Sequence, residues 1–192
     1  MNPELPLDWY LDLLCAIKEK YPHIHVHGFS PPEFVEFVHF FDPPGKNFEE
    51  KVRWVMVRLR DAGLDSVPGG GGEIFARPVR HKIGLGKCDA EAWLTVMYVA
   101  HSLGMFTSAT MMFGHIEEPR ELARHMKVIR DLQGRTGGIT EFVPLSFIPF
   151  NTLLGRTHGV EEISIEENLK HTAAFRLALG KSVTNLQASW VK

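Results

Sequence analysis

The sequence predicts an α/β fold, an incomplete parallel (β/α) barrel, and three observations predict it. Amphipathic helical patterns alternate with short apolar runs along the chain, which implies right-handed crossovers and a parallel sheet. No dinucleotide-binding glycine fingerprint follows an early strand, so an open doubly wound sheet is disfavoured. The chemically unusual segments all fall where strands end, the place where a parallel barrel carries its chemistry.

The elements follow in order. Tyr10, Leu13, Leu14 and Ile17 recur at helical spacing and predict a helix over residues 7–20. A strand over residues 24–29 follows. Ser30 and Glu33 make a capping-box pattern with Pro31 at the first helical position, and Phe29 and Phe34 are placed as its staple. Phe34, Phe37, Val38 and Phe41 form the buried stripe of that helix, which Pro43-Pro44-Gly45 stops. Asn47 and Glu50 open a third helix that ends near Gly63.

A buried strand over residues 64–67 runs into a glycine loop. Helices over residues 77–83 and 89–103, the latter capped by Asp89, lead to a strand over residues 106–113. A helix over residues 119–133 and a strand over residues 140–145 follow. Ser164 and Glu167 form another capping box, whose helix carries Ile165, Leu169, Ala173 and Leu177 at four-residue spacing as its apolar stripe. A last strand is expected over residues 186–191.

Composition bounds the function. The chain has 192 residues, 44% of them apolar and 23% charged, which suits one sizeable globular core. A formal net charge of -2 and the lack of a Lys/Arg run give no reason to expect a nucleic-acid partner. No apolar stretch reaches the roughly 18 residues of a membrane span, and the first residues lack a signal-peptide pattern, so a cytoplasmic setting is expected. With only two cysteines, Cys15 and Cys88, the chain has neither a disulfide framework nor a cysteine-only cluster site of its own.

Four segments carry chemistry. Gly69 to Gly72 are four consecutive glycines, each costing about 1 kcal/mol to order relative to alanine, so the backbone there must turn unusually or approach a ligand closely. Glu73 follows at once and can accept hydroxyl protons beside exposed loop N–H groups. His23, His25 and His27 alternate on one strand face, and Ile24 and Val26 belong on the helix side, so the histidines point into the lumen. There His25 and His27 can hydrogen-bond a ligand or bind a metal. Ser108, Thr110 and Met112 share a polar strand face that ends in Gly114, His115 and Glu117, where the last two could serve as an acid–base pair or cap the next helix. Glu141 lies inside a buried strand, where a carboxylate needs a partner such as Arg130 or Arg135, or a function.

At these residues the chain resembles a group of radical S-adenosylmethionine (SAM) enzymes. The group comprises the futalosine-pathway enzymes of menaquinone biosynthesis (cyclic dehypoxanthinyl futalosine synthase and aminofutalosine synthase) and the tyrosine-using part of deazaflavin FO synthase. The matching segments are IHVHGFSPPE, AGLDSVPGGGGEIF, ATMMFGHIE, LQGRTGGITEFVPL, FNT and LQASWVK, spread over the chain in the expected order. The resemblance implies a TIM-type barrel that holds SAM and a 4Fe-4S cluster, fed by a reductant such as flavodoxin or ferredoxin, and a small-molecule substrate.

Carried over by position, Gly69, Gly70, Gly71, Glu73, Thr110, Met112, Gly114 and Glu117 fall on the SAM site, with Glu73 on the ribose. His25, His27, Ser30 and Glu141 fall on the substrate side. The family's Cys-x-x-x-Cys-x-x-Cys motif has no counterpart, and residues 41–48 are longer than usual. The chain is therefore expected to be the C-terminal portion of the barrel domain, lacking the first strands and the cluster ligands, with residues 152–192 beginning a C-terminal extension. Such a piece is expected to be inactive alone.

Within the group, the glycine-plus-Glu run and FNT favour the futalosine branch, and TMMFG and SPPE favour its cyclase, a carbon–carbon bond-forming enzyme and the first reading. TEFVPL and SWVK favour the deazaflavin 4-hydroxyphenyl transferase. Outside the group, a metal-dependent barrel hydrolase built on His25-x-His27 and His115 is the rival reading, with a non-catalytic fragment as another.

Overall fold

A computed structural model describes residues 2–83 and 87–188. Three helices come first: α1 (Leu7–Lys20), α2 (Pro31–Phe41) and α3 (Phe48–Asp61). The two-residue strand β1 (Ser66–Val67) leads through the glycine loop to α4 (Arg77–Ile83) and α5 (Ala90–Ser102). Then come β2 (Phe106–Phe113), α6 (Pro119–Thr136), β3 (Ile139–Ser146), α7 (Leu153–His158), α8 (Ile165–Leu179) and β4 (Asn185–Leu186). The strands form one parallel sheet in the order β1-β2-β3-β4. Sequential parallel neighbours joined by helices are the arrangement of a partial α/β barrel.

The predicted strand at residues 24–29 is reduced to an extended segment with a single parallel bridge, His27 to Ser66. Val26 O accepts the Asp65 and Ser66 N–H groups, and Gly28 N–H donates to Ser66 O, so the segment still lies beside β1 at the sheet edge. Lys18 and Asp65 reinforce this edge. Asp65 accepts from Lys18 Nζ at 2.5 Å and from Val26 N at 2.7 Å. Burial pushes its carboxyl up, but those two bonds outweigh it and hold the pKa low.

The sheet has two unlike faces. Val67, Ala109, Met111, Phe113 and Phe142 are almost fully buried beneath the helices. Thr110, Met112, Glu141, Val143 and Leu145 alternate with them and are only half-buried. Period-two alternation thus puts the apolar set under the helix layer and leaves the other face open. Trp93, Val96, Met97, Val99 and Ala100 of α5 fill the middle of that layer. No helix among the described residues is long and apolar enough to cross a membrane.

Three local expectations are corrected. Phe29 adopts φ 56° and sets its ring edge-on to Phe37 at 5.4 Å, so the staple reaches Phe37 rather than Phe34. The short helix α7 was not anticipated; Thr152 caps it, its Oγ accepting from Gly155 N at 3.0 Å. On α8 the four-residue stripe faces outward: Ile165, Leu169 and Leu177 are 73%, 64% and 83% exposed, whereas Phe175 and Leu179 are buried. Phe175 wins because its ring packs against Phe113 and Phe142 of the sheet, which sets the rotation of the helix. The expected last strand survives as β4, and residues 189–191 of it lie outside the described residues.

Candidate active site

The glycine loop is a wall laid against β2. A Cβ on Gly69 would stand 2.6 Å from the Ala109 Cα and from the Ser108 carbonyl oxygen, and one on Gly72 would stand 2.5 Å from the Thr110 carbonyl oxygen. Gly71 has φ +80°, a left-handed conformation that favours glycine. The sequence argument for close backbone approach therefore holds, and the approach is to the protein's own strand. Gly69 N–H donates to Ser108 Oγ at 2.8 Å, Thr110 Oγ1 donates to Gly69 O at 2.6 Å, and Met112 N–H donates to Glu73 O at 2.8 Å.

Arg80 and Trp93 fasten the outer side of this loop, and neither was singled out from the sequence. The Arg80 guanidinium is buried and makes no ion pair among the described residues; it donates to the carbonyls of Gly71 and Gly72 at 2.7 Å each, and to those of Ile74 and Cys88. The Trp93 indole N–H lies 3.2 Å from both the Gly69 and the Gly70 carbonyl oxygens. With the Gly70, Gly71 and Gly72 carbonyls drawn to this side, and Gly69 O shared between Trp93 and Thr110, a planar trans peptide turns the Gly71 N–H the other way. Among the described residues the Gly70 and Gly71 N–H groups make no hydrogen bond. Ser30 and Pro32, at the start of α2, lie against Gly70 and Gly71. The sequence shows Arg80 only as one basic residue of a short basic helix, and its carbonyl partners are legible only once the fold is known.

Glu73 takes φ 41° at the end of the loop, and its mostly buried carboxylate pairs with Lys87. It lines an open cavity of about 460 Å³ with Met112, Phe147, Lys82 and the α7 residues Leu153 and Thr157. Gly114 and Glu117 form a closed turn beside it. Glu117 Oε1 accepts from Gly114 N at 2.6 Å, Oε2 from His115 N at 2.9 Å, and the His115 ring nitrogen Nδ1 lies 2.8 Å from Oε2. Burial pushes the Glu117 carboxyl up, but the His115 ring and the two N–H donors outweigh it and keep it low. The pair therefore folds the loop onto itself, and the cap of α6 is the next residue, Glu118.

On the open face, His25 and His27 converge on Ser66. His25 Nε2 lies 2.7 Å and His27 Nδ1 2.6 Å from Ser66 Oγ. Desolvation lowers the His27 pKa, the Glu141 charge opposes that, and His25 adds to the lowering. Glu141 is neither buried nor paired with Arg130 or Arg135; its recorded partner is Gln187. Ser108 pairs in register with Glu141, so β2 places its hydroxyl near the same end of this face. Ser30 is on the neighbouring rim, and its hydroxyl donates to Glu33 at 2.6 Å within the helix cap.

Two fits for inorganic groups can be tested on these residues. Cys15 is exposed on α1, and Cys88 is buried, its thiol pushed up by desolvation against the opposing Arg80 charge. These two residues do not fit a 4Fe-4S cluster, which is held by more than two Cys thiolates. Among the described residues no group of three His, Cys, Asp or Glu could hold a metal ion, so His25 and His27 have no third ligand. The hydrolase reading loses its centre.

A parallel four-stranded sheet with one open face, a glycine wall and a rim cavity makes this a mixed α/β protein compatible with a partial α/β barrel. No protein-family model matches the chain. Along its whole length it is 41% identical over 194 residues to the 5-amino-6-(D-ribitylamino)uracil–L-tyrosine 4-hydroxyphenyl transferase of Methanopyrus kandleri, covering 100% of this chain and 50% of that protein. It is 42% identical over 193 residues to transferase 1 of the same name from Methanosarcina mazei, covering 99% of this chain and 50% of the relative. It is 39% identical over 193 residues to the FO synthase of Mycobacterium tuberculosis strain H37Rv, covering 100% of this chain and 22% of that protein. The chain thus spans about half the length of the transferases it matches, or less. These names support the FO synthase group, the branch ranked second on sequence, rather than the futalosine branch.

Proposed function

We propose that this chain forms part of a radical SAM transferase of the FO synthase type, joining the 4-hydroxyphenyl group of tyrosine to 5-amino-6-(D-ribitylamino)uracil. The observation that carries the reading is similarity across the full chain, at 41% and 42%, to two transferases bearing that name. The futalosine cyclase becomes the second reading, resting on the glycine-plus-Glu run, FNT, TMMFG and SPPE.

SAM suits the glycine wall, because unpartnered loop N–H groups and the Glu73 carboxylate offer complementary donors and an acceptor. Gly69, Gly70 and Gly71 would hold it from one side. Thr110, Met112, Gly114 and Glu117 shape the adjoining strand end, with Glu117 acting by holding the turn. When bound, SAM supplies radical chemistry to the substrate. The iron–sulfur cluster does not fit this chain's two cysteines. The chain's own residues bind and orient: His25, His27 and Glu141 offer hydrogen bonds to phenol, amine and uracil groups on the open face, and Ser30 supports the rim.

Isothermal titration calorimetry tests the reading. SAM should bind the chain and be weakened at least about tenfold by Glu73→Gln, the loss of one charge-assisted hydrogen bond. With SAM present, tyrosine and 5-amino-6-(D-ribitylamino)uracil should bind. Binding of dehypoxanthinyl futalosine instead would support the second reading, and absence of SAM binding would refute both.

A further inference from the structure

Ser66 lies in the segment AGLDSVPGGGGEIF but was given no role from the sequence, yet two imidazoles meet at its hydroxyl. Its Oγ stands 2.7 Å from His25 Nε2 and 2.6 Å from His27 Nδ1, while the residue itself is only 5% exposed. The hydroxyl has one proton to give. Among the described residues it has no other recorded hydrogen-bond partner. If it donates to one ring, that ring's facing nitrogen must be bare. The other ring must then present N–H to the Ser66 oxygen.

We propose that Ser66 is a positioning residue that couples His25 and His27 into a single proton-holding unit on the open face of the sheet. In the neutral unit, the two outward nitrogens, His25 Nδ1 and His27 Nε2, are always unlike. One carries a proton and the other a lone pair. The unit therefore offers a ligand one donor and one acceptor together, and it exchanges them when the Ser66 hydroxyl turns. This inference rests on the proposed substrate-side role of the two histidines, and it adds the residue that sets their tautomers.

The substrate class is a small molecule with one exchangeable proton on a phenol, amine or ring nitrogen. Suppose His27 Nε2 is the bare nitrogen. The substrate X–H bond breaks, a new N–H bond forms at His27 Nε2, and X keeps the electron pair. His27 Nδ1 gives its proton to the Ser66 oxygen while Ser66 gives its own to His25 Nε2. The net change is one proton taken from substrate and one positive charge on His25, without a change of oxidation state. The charged groups near the unit are Glu141 from β3, and Asp65 with its partner Lys18 from α1. Glu141 favours the protonated unit.

The test reads ring tautomers in the chain itself, by long-range ¹H–¹⁵N NMR of the histidine nitrogens across a pH titration. In the native chain near neutral pH, the Nδ1–H share of His25 and the Nε2–H share of His27 should add to one, because one shared hydroxyl proton sets both rings. Ser66→Ala should break that complementarity, each ring settling its tautomer alone, and Ser66→Thr should restore it. His25→Leu, at an exposed position, keeps the test alive if Ser66→Ala does not fold. There the Ser66 proton has only His27 Nδ1 to go to, and His27 should become the Nε2–H tautomer. A His27 tautomer and titration that are the same in the native chain, Ser66→Ala and His25→Leu would overturn the proposal. Because no substrate is added, that result is separable from failure of the transferase reading, which the calorimetry decides.

Discussion

His125 makes the sharpest stability prediction. It lies on α6, fully buried, with neither ring nitrogen in a hydrogen bond, its ring stacked on Phe75 at 4.0 Å and 10°. Burial lowers its pKa to about 3; the Thr110 backbone works weakly against this and the Arg80 charge with it. Because the folded pKa lies below the ordinary 6.5, the unfolded chain binds the extra proton. Stability is therefore whole above about pH 6.5 and falls as pH drops towards 3. Between pH 7.5 and 4.5 the loss from this one ring is about 2–3 kcal/mol, at 1.4 kcal/mol per pKa unit.

His125→Leu removes both the titration and two unpartnered polar atoms, so the variant should be as stable as the native chain at pH 7.5 or more so. Urea unfolding followed by circular dichroism at the two pH values gives the comparison. The native chain should lose about 2–3 kcal/mol more than the variant. His101, held at about 4 by burial, titrates in both proteins and cancels. Equal losses would refute the reasoning, and would mean that the Thr110 carbonyl bonds the protonated ring inside the fold.

Other perturbations read the site. Arg80→Met leaves the Gly71 and Gly72 carbonyls without their donor and should cost about 3 kcal/mol or more in urea unfolding, with SAM affinity falling too. Gly69→Ala drives a methyl into the backbone of β2, so it should destabilise by about 1–3 kcal/mol; an unchanged melting temperature would show that the loop stands off the strand. Glu117→Gln should loosen the Gly114–His115 turn, visible as faster amide hydrogen exchange there, because it removes a charge from two charge-assisted bonds. Leu169→Glu and Leu177→Glu, on the outward stripe of α8, should leave stability within about 0.5 kcal/mol.

Much of the architecture could be read from local signals. Capping residues, prolines and apolar spacing mark α1, α4, β2 and the start of α2 to the residue, because those cues act within one turn or one strand. The glycine run was recognisable as a close-packing device, since few other reasons exist for four glycines before an ordered apolar segment. What lies beneath it was not. Arg80 looks like a surface residue of a short basic helix until the fold swings its guanidinium under the carbonyls of residues about eight positions earlier. Glu141 illustrates the opposite case: its strand was correct, but the open face leaves the carboxylate half-buried beside Gln187.

By itself the sequence determined the parallel α/β order, the polar strand face and the segments that bear the chemistry, because hydrophobic period and cap chemistry are local properties. Tertiary structure decided which partners those segments meet. The Ser66 junction joins residues 39 and 41 positions apart, the α8 helix rotates to seat Phe175 and Leu179 instead of Leu169 and Leu177, and the glycine wall is fastened from behind by Arg80 and Trp93. Each depends on side chains meeting across the sheet and helix layers, where packing and unpaired polar groups outweigh what any single segment prefers.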